Sequence, residues 1–126
     1  MPKTTPRIPS GPDPVGPYSI AAEANGFVFL SGQVAFDPTS GDRVDATVAD
    51  EAEQVMANIG AMLGDLGLGY ADIVKTTIFL TDMGDFAAVN EVYGRCFDGE
   101  PPARSTVAVA ALPVGFSVEI EVVAAR

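Results

Sequence analysis

Between residues 105 and 112 apolar side chains occupy both faces of what reads as a single strand. Val107, Val109 and Ala111 fall on one side; Ala108, Ala110 and Leu112 fall on the other with Thr106. Residues 27–30 repeat the pattern. A strand apolar on both faces is buried on both faces. Only two segments of this chain have helical periodicity, and two helices cover one face of a sheet. A second copy of the chain is therefore expected on the other face, and the reading is an obligate oligomer.

The helices are read from apolar residues spaced three and four apart. Over 47–66 these are Val48, Ala52, Val55, Met56, Ile59, Met62, Leu63 and Leu66. Thr47 with Asp50 resembles a capping box built with the shorter acid, and Gly67 and Gly69 supply the stop. A second helix over about 84–97 places Phe86, Val89, Tyr93, Cys96 and Phe97 on one side. Strands are expected at 19–24, 27–36, 73–81, 105–112 and 116–125, with Asn25-Gly26 as a two-residue hairpin turn. Asp37 to Asp42 reads as a turn, because the alternating ligand pattern of a calcium loop is missing. The order β-β-α-β-α-β-β predicts one α+β domain over residues 1–126, with a mixed sheet and both helices on one face. Residues 1–16 read as a Pro-rich, extended arm that orders late.

Seventeen acidic residues against seven basic ones leave a formal net charge of −10, and there is no histidine. Nucleic-acid affinity is mostly phosphate neutralisation by Lys and Arg, so neither nucleic acid nor an anionic membrane suits this chain. The missing histidine removes Ser-His and Cys-His nucleophile schemes and the commonest zinc ligands. One cysteine, Cys96, allows no internal disulfide and no multi-thiolate metal site, and it reads as a small buried hydrophobe. No metal or cofactor is expected. With no charged-then-apolar leader before residue 20, a cytoplasmic location is the default expectation.

Against this apolar background two charged residues stand out. Arg104, in Pro101-Pro102-Ala103-Arg104-Ser105-Thr106, is a permanent cation with a planar fork of donors suited to a carboxylate. Glu119 sits in a strand where Phe116, Val118, Ile120 and Val122 alternate with Ser117, Glu119 and Glu121, so both glutamates share one face. If that face meets another subunit, an acid is expected near the interface beside Arg104. Taken alone, Arg104 is more often a surface or interface ion-pair residue, and Glu119 a partner for Arg104 or a lysine across the interface.

Five short segments give these residues a wider setting: Val15-Gly16-Pro17-Tyr18-Ser19, Ser31-Gly32-Gln33, Val89-Asn90-Glu91-Val92-Tyr93, Pro102-Ala103-Arg104-Ser105 and Val118-Glu119-Ile120-Glu121. In this order and at these intervals they resemble the Rid family (also called YjgF or L-PSP), from about Gly16 to Arg126. The resemblance implies a chorismate-mutase-like fold assembled as a homotrimer, with a central barrel of sheets and active sites between subunits. It also implies hydrolysis of reactive 2-imino and enamine acids, such as 2-aminoacrylate with 2-iminopropanoate and 2-iminobutanoate, to 2-oxo acids and ammonia. No cofactor is implied. Carried over by motif, Arg104 holds the substrate carboxylate with help from the Gly32 amide, and Glu119 positions or activates water. The Thr106 main chain orients the imine nitrogen, while Tyr18, Ser31 and Asn90 line the pocket.

Two departures bear on that reading. Thr106 stands where a cysteine often follows Arg-Ser, and Ile20 where a glutamine commonly follows Pro-Tyr-Ser. Three other functions compete: a non-catalytic trimer binding 2-oxo acids or small carboxylates, a specialised member acting on another imine, and a ribonuclease. The charge opposes the last.

Overall fold

The computed structural model describes residues 2–126. Two strands, β1 (Ala21–Ala24) and β2 (Phe27–Gln33), form the expected hairpin. Asn25 and Gly26 both take positive φ (53° and 81°), as a turn matched to the strand twist requires. Then follow α1 (Val48–Asp65), β3 (Ile73–Leu80), α2 (Phe86–Gly94), β4 (Ala103–Ala108) and β5 (Val118–Ala125). The five strands lie in the order β1-β2-β5-β3-β4, and only β3 and β4 run parallel, joined through α2. This is the α+β mixed sheet with two helices that the element order predicted.

Local chemistry sets the ends of α1. The Thr47 hydroxyl accepts a hydrogen bond from the Asp50 N–H at 3.1 Å. At the other end, Leu68 N–H reaches Leu63 O and Gly67 N–H reaches Gly64 O, with Gly67 at φ 74°, which closes a Schellman motif. Between these caps Ala52, Val55, Met56, Ile59, Met62 and Leu63 are fully buried. They pack on the inner sheet face made by Val28, Leu30, Ile78, Leu80, Val118, Ile120 and Val122. Burying one such side chain stabilises by about 1.5–3 kcal/mol.

One buried acid organises this packing. Glu51, 3% exposed on the first turn of α1, accepts from Ser117 N–H at 2.8 Å and Val118 N–H at 3.3 Å. These charge-assisted bonds tie the helix start to the start of β5. They help hold Val118 and Ile120 inward, which turns Glu119 outward.

Two expectations need correcting. The strand expected over 105–112 is Ala103–Ala108, since its partner β3 ends at Leu80; beyond it a single bond from Val109 N–H to Leu80 O remains. Within the chain the helices cover only one face of the sheet, as the sequence reading expected. Val107 on β4 and Phe27 and Phe29 on β2 are 43–48% exposed, because both helices lie on the inner face. Finally, the described part of the arm is pinned rather than loosely extended. Thr4 exchanges two backbone bonds with Glu23, Ile8 enters the core, and Ser10 bonds Asp65 through its N–H and its hydroxyl.

Candidate functional site

The sheet order separates the two charged residues that the sequence placed together. β3 lies between β4 and β5, so Arg104 and Glu119 are not on adjacent strands. Arg104 is opposite Thr76, a fully buried residue of the helix-covered face. Glu119 is opposite Phe79, one residue out of phase with the buried Ile78–Ile120 pair, and therefore on the uncovered face. Within one chain the cation and the carboxylate sit on opposite sides of the sheet. The acid expected beside Arg104 concerns a subunit interface; within one chain β3 separates the two groups.

Arg104 belongs to a half-site on the helix side. Its guanidinium lies 5.1 Å from the Tyr93 ring centroid and 5.5 Å from that of Phe86. Beside it opens a cavity of about 320 Å³ lined by Asn90, Tyr93, Phe97, Pro101, Pro102 and Arg104. Among the described residues no ion pair or side-chain hydrogen bond involves Arg104. The fork of donors is unspent. Tyr93 is braced from below by a 2.6 Å hydrogen bond with the buried Thr76 hydroxyl. Burial pushes the Tyr93 phenol up, against the opposing pull of the Thr76 bond and the Arg104 charge. Thr106, two residues along the same face of β4, carries a buried hydroxyl without a hydrogen-bond partner among the described residues.

Glu119 belongs to the other half-site, with Tyr18, Ser31 and Gly32. A groove of about 1120 Å³ runs past these residues and Glu121. Gly32 lies where the pairing of β2 with β5 slips between Leu30 and Gln33. A Cβ there would stand 2.1 Å from Glu119 Oε2, so the carboxylate occupies the space a side chain at Gly32 would take; no left-handed φ is involved. Ser31 donates its hydroxyl to Ser19 O at 2.6 Å and its N–H to Ile20 O at 2.8 Å, which fixes the segment carrying Tyr18 against β2. Half-burial pushes the Glu119 carboxyl above the usual range, and the like charge of Glu121 pushes it further.

Every sequence-predicted site residue therefore falls into one of two groups. Arg104, Asn90 and Thr106 are on the helix side, and Glu119, Tyr18, Ser31 and Gly32 are on the open side. Sequence reasoning placed Phe86 and Tyr93 on one side of the second helix and missed their place beneath Arg104. Their spacing of seven on one helix face was the available signal. It also missed the Gln33 side chain, whose amide donates to Ser31 O at 3.0 Å and braces the bulge from inside. Val114, at φ 48° in the loop before β5, lines the Glu119 groove, and its carbonyl accepts from Arg43. A β-branched residue in that region is strained, and nothing in its sequence neighbourhood announced it.

Comparison with known proteins bears on both half-sites. The family profile described as Endoribonuclease L-PSP matches residues 9–126. Protein DfrA of Myxococcus xanthus is 51% identical over 115 residues, covering 90% of this chain and 88% of that protein. A Mus musculus protein named 2-iminobutanoate/2-iminopropanoate deaminase is 45% identical over 115 residues, covering 91% and 85%. The crystal structure of E. coli TdcF with bound serine matches with a TM-score of 0.87 at 40% identity, covering 93% of this chain and 94% of that one.

Proposed function

The chain belongs to the Rid (L-PSP) family, and from that premise we propose that it is a hydrolytic deaminase of reactive 2-imino and enamine acids. The observation that carries the reading is Arg104: a cation without an anionic partner among the described residues, held over two aromatic rings beside a cavity that it lines. Such a group is suited to a ligand carboxylate, which it can take as a bidentate pair. The relative crystallised with serine and those named as deaminases of small 2-imino acids support a ligand of that size and charge.

In the proposed reaction Arg104 fixes the carboxylate and Asn90 lines the same cavity. Water adds to the imine carbon, its proton passes to Glu119, and the C–N double bond becomes a single bond in a tetrahedral carbinolamine. Glu119 returns that proton to nitrogen, then takes the carbinolamine hydroxyl proton and passes it to the amine as the C–N bond breaks and the C=O bond forms, and a 2-oxo acid and ammonia leave. A carboxyl raised by burial is closer to the pH at which one group can both accept and donate. Most of the acceleration would come from holding imine and water together.

The proposal requires that Arg104 of one copy meet Glu119 of another. The exposed Phe27, Phe29 and Val107 on the uncovered face favour such an assembly, for which we propose the homotrimer with interfacial sites. No helix among the described residues is long and apolar enough to cross a membrane; we propose a cytoplasmic location. An RNA substrate, which the family description suggests, is disfavoured by the net charge of −10 and the lack of histidine.

The test uses an amino-acid oxidase to generate 2-imino acids, with semicarbazide to trap them. Wild type should suppress semicarbazone formation, while Arg104→Ala and Glu119→Ala, assembled as wild type, should not. Suppression absent in wild type across several imino acids would sink the deaminase reading and favour a carboxylate-binding trimer or a specialised imine.

A further inference from the structure

Among the described residues no acid holds Arg104, so something else must aim its fork. We propose that Phe86 and Tyr93 are positioning residues: an aromatic platform on α2 that sets the direction of the Arg104 guanidinium and so its affinity for a ligand carboxylate. The inference rests on the carboxylate-binding role of Arg104 proposed above.

Three observations carry it. The guanidinium is within 6 Å of two ring centroids at once, 5.1 Å for Tyr93 and 5.5 Å for Phe86, the range in which ring quadrupole and cation attract. Both rings project from one helix, seven residues apart, so one rigid element sets their separation. The Tyr93 ring is itself immobilised. It is 5% exposed, packs against Phe97 at 4.9 Å between centroids, and shares a 2.6 Å hydrogen bond with the fully buried Thr76. Thr76 is in turn the residue of β3 directly opposite Arg104. A closed path thus runs from Arg104 through Tyr93 and Thr76 back to Arg104's own strand position.

An arginine on an edge strand otherwise samples many rotamers, and binding a ligand would cost the entropy of choosing one. The platform makes part of that choice beforehand. It does so without neutralising the cation, which a carboxylate partner would. The path also predicts a division of labour between the two rings. Phe86 is half-buried at the edge of the core, whereas Tyr93 lies within it and is held there by Thr76.

The experiment titrates 2-oxobutanoate into assembled wild type, Phe86→Leu, Tyr93→Leu, Tyr93→Phe and Arg104→Ala, with thermal melts and imine kinetics alongside. Phe86→Leu and Tyr93→Leu should each weaken binding by roughly 3- to 30-fold. KM should rise in proportion while kcat stays within about twofold. Tyr93→Phe keeps the ring, so it should recover most of the affinity lost in Tyr93→Leu. Wild-type affinity in both leucine variants, whatever their melting temperatures, would overturn the inference; so would a fall in kcat at constant KM. If Tyr93→Leu does not fold, Phe86→Leu decides the matter. Binding unchanged in Arg104→Ala would instead remove the carboxylate role, and the platform with it. Binding lost only in Arg104→Ala would leave that role standing and remove the platform alone.

Discussion

Substituting Gly32 by alanine tests the half-site around Glu119 with a single methyl group. The added Cβ would lie 2.1 Å from Glu119 Oε2, 2.9 Å from Cδ and 3.2 Å from Cγ. Carbon and oxygen in ordinary contact need roughly 3.4 Å or more, so the carboxylate must withdraw by at least ~1 Å. A misplacement of ~1 Å at a reacting group costs on the order of 10²-fold in rate, about 2.7 kcal/mol of barrier. The backbone gives no reason for a matching loss of stability. Gly32 has no left-handed φ to surrender, and replacing glycine in a compatible conformation tends to stabilise by about 0.4–1 kcal/mol. The expected outcome is kcat for imine hydrolysis down about 100-fold, with a melting temperature at or near wild type. Adding Glu119→Asp retracts the carboxylate by one methylene. In the alanine background that second change should cost far less than it does alone, a coupling readable from a double-mutant cycle. Wild-type kcat in Gly32→Ala, or strict additivity in the cycle, would refute the claim that this glycine makes room for a working carboxylate.

Three further outcomes follow from the same geometry. Mixing equal amounts of Arg104→Ala and Glu119→Ala subunits through a dissociation and reassembly step should restore about a quarter of wild-type activity, since each site would draw its arginine and its acid from different copies; no restoration after verified exchange would count against composite sites. Glu121→Gln removes the like charge that adds to the elevation of Glu119, so the acid limb of the pH–kcat profile should move to lower pH, with burial keeping it above the ordinary carboxylate range; an unmoved limb would assign it to another group. Because the folded-state pKa of Glu119 is raised, the folded chain binds more protons than the unfolded chain between the two pKa values, and stability falls as pH rises through that window. Glu119→Gln should therefore gain stability over wild type with rising pH and level off above it, as melts across pH would show.

Much of the fold was legible because local signals and pattern agreed. Thr47, Gly67 and the stripe from Ala52 to Leu63 located α1, and Asn25-Gly26 located the hairpin. Strand ends were less legible, because a strand stops where its neighbour stops. Nothing in Val109 to Leu112 says that β3 has already ended at Leu80. The candidate residues were legible through short motifs, but their grouping was not. Grouping depends on which strand inserts between β4 and β5, a non-local property that alternation along either strand leaves open. Alternation did place Glu119 and Glu121 on a common face. Glu51 was unreadable for a different reason: its acceptors' partners, the N–H groups of Ser117 and Val118, are 66 and 67 residues away.

The separation of Arg104 from Glu119 within a chain has a chemical consequence that their proximity would forfeit. Were they side by side on one face, they would form an ion pair. The pair would occupy the guanidinium fork and stabilise the charged carboxylate, pulling its pKa down. Neither group would then suit its proposed task. With β3 between them and the sheet dividing them, the arginine keeps its donors unspent over Phe86 and Tyr93. Glu119 meanwhile answers only to burial and to Glu121, both of which raise it. In the proposed assembly the two groups approach across an interface with substrate between them. The ligand carboxylate takes the cation's donors, and the acid is left to handle the proton. A fold that strands its cation and its acid on opposite faces would thus keep each in the state that the proposed site needs, for a second copy and a substrate to complete.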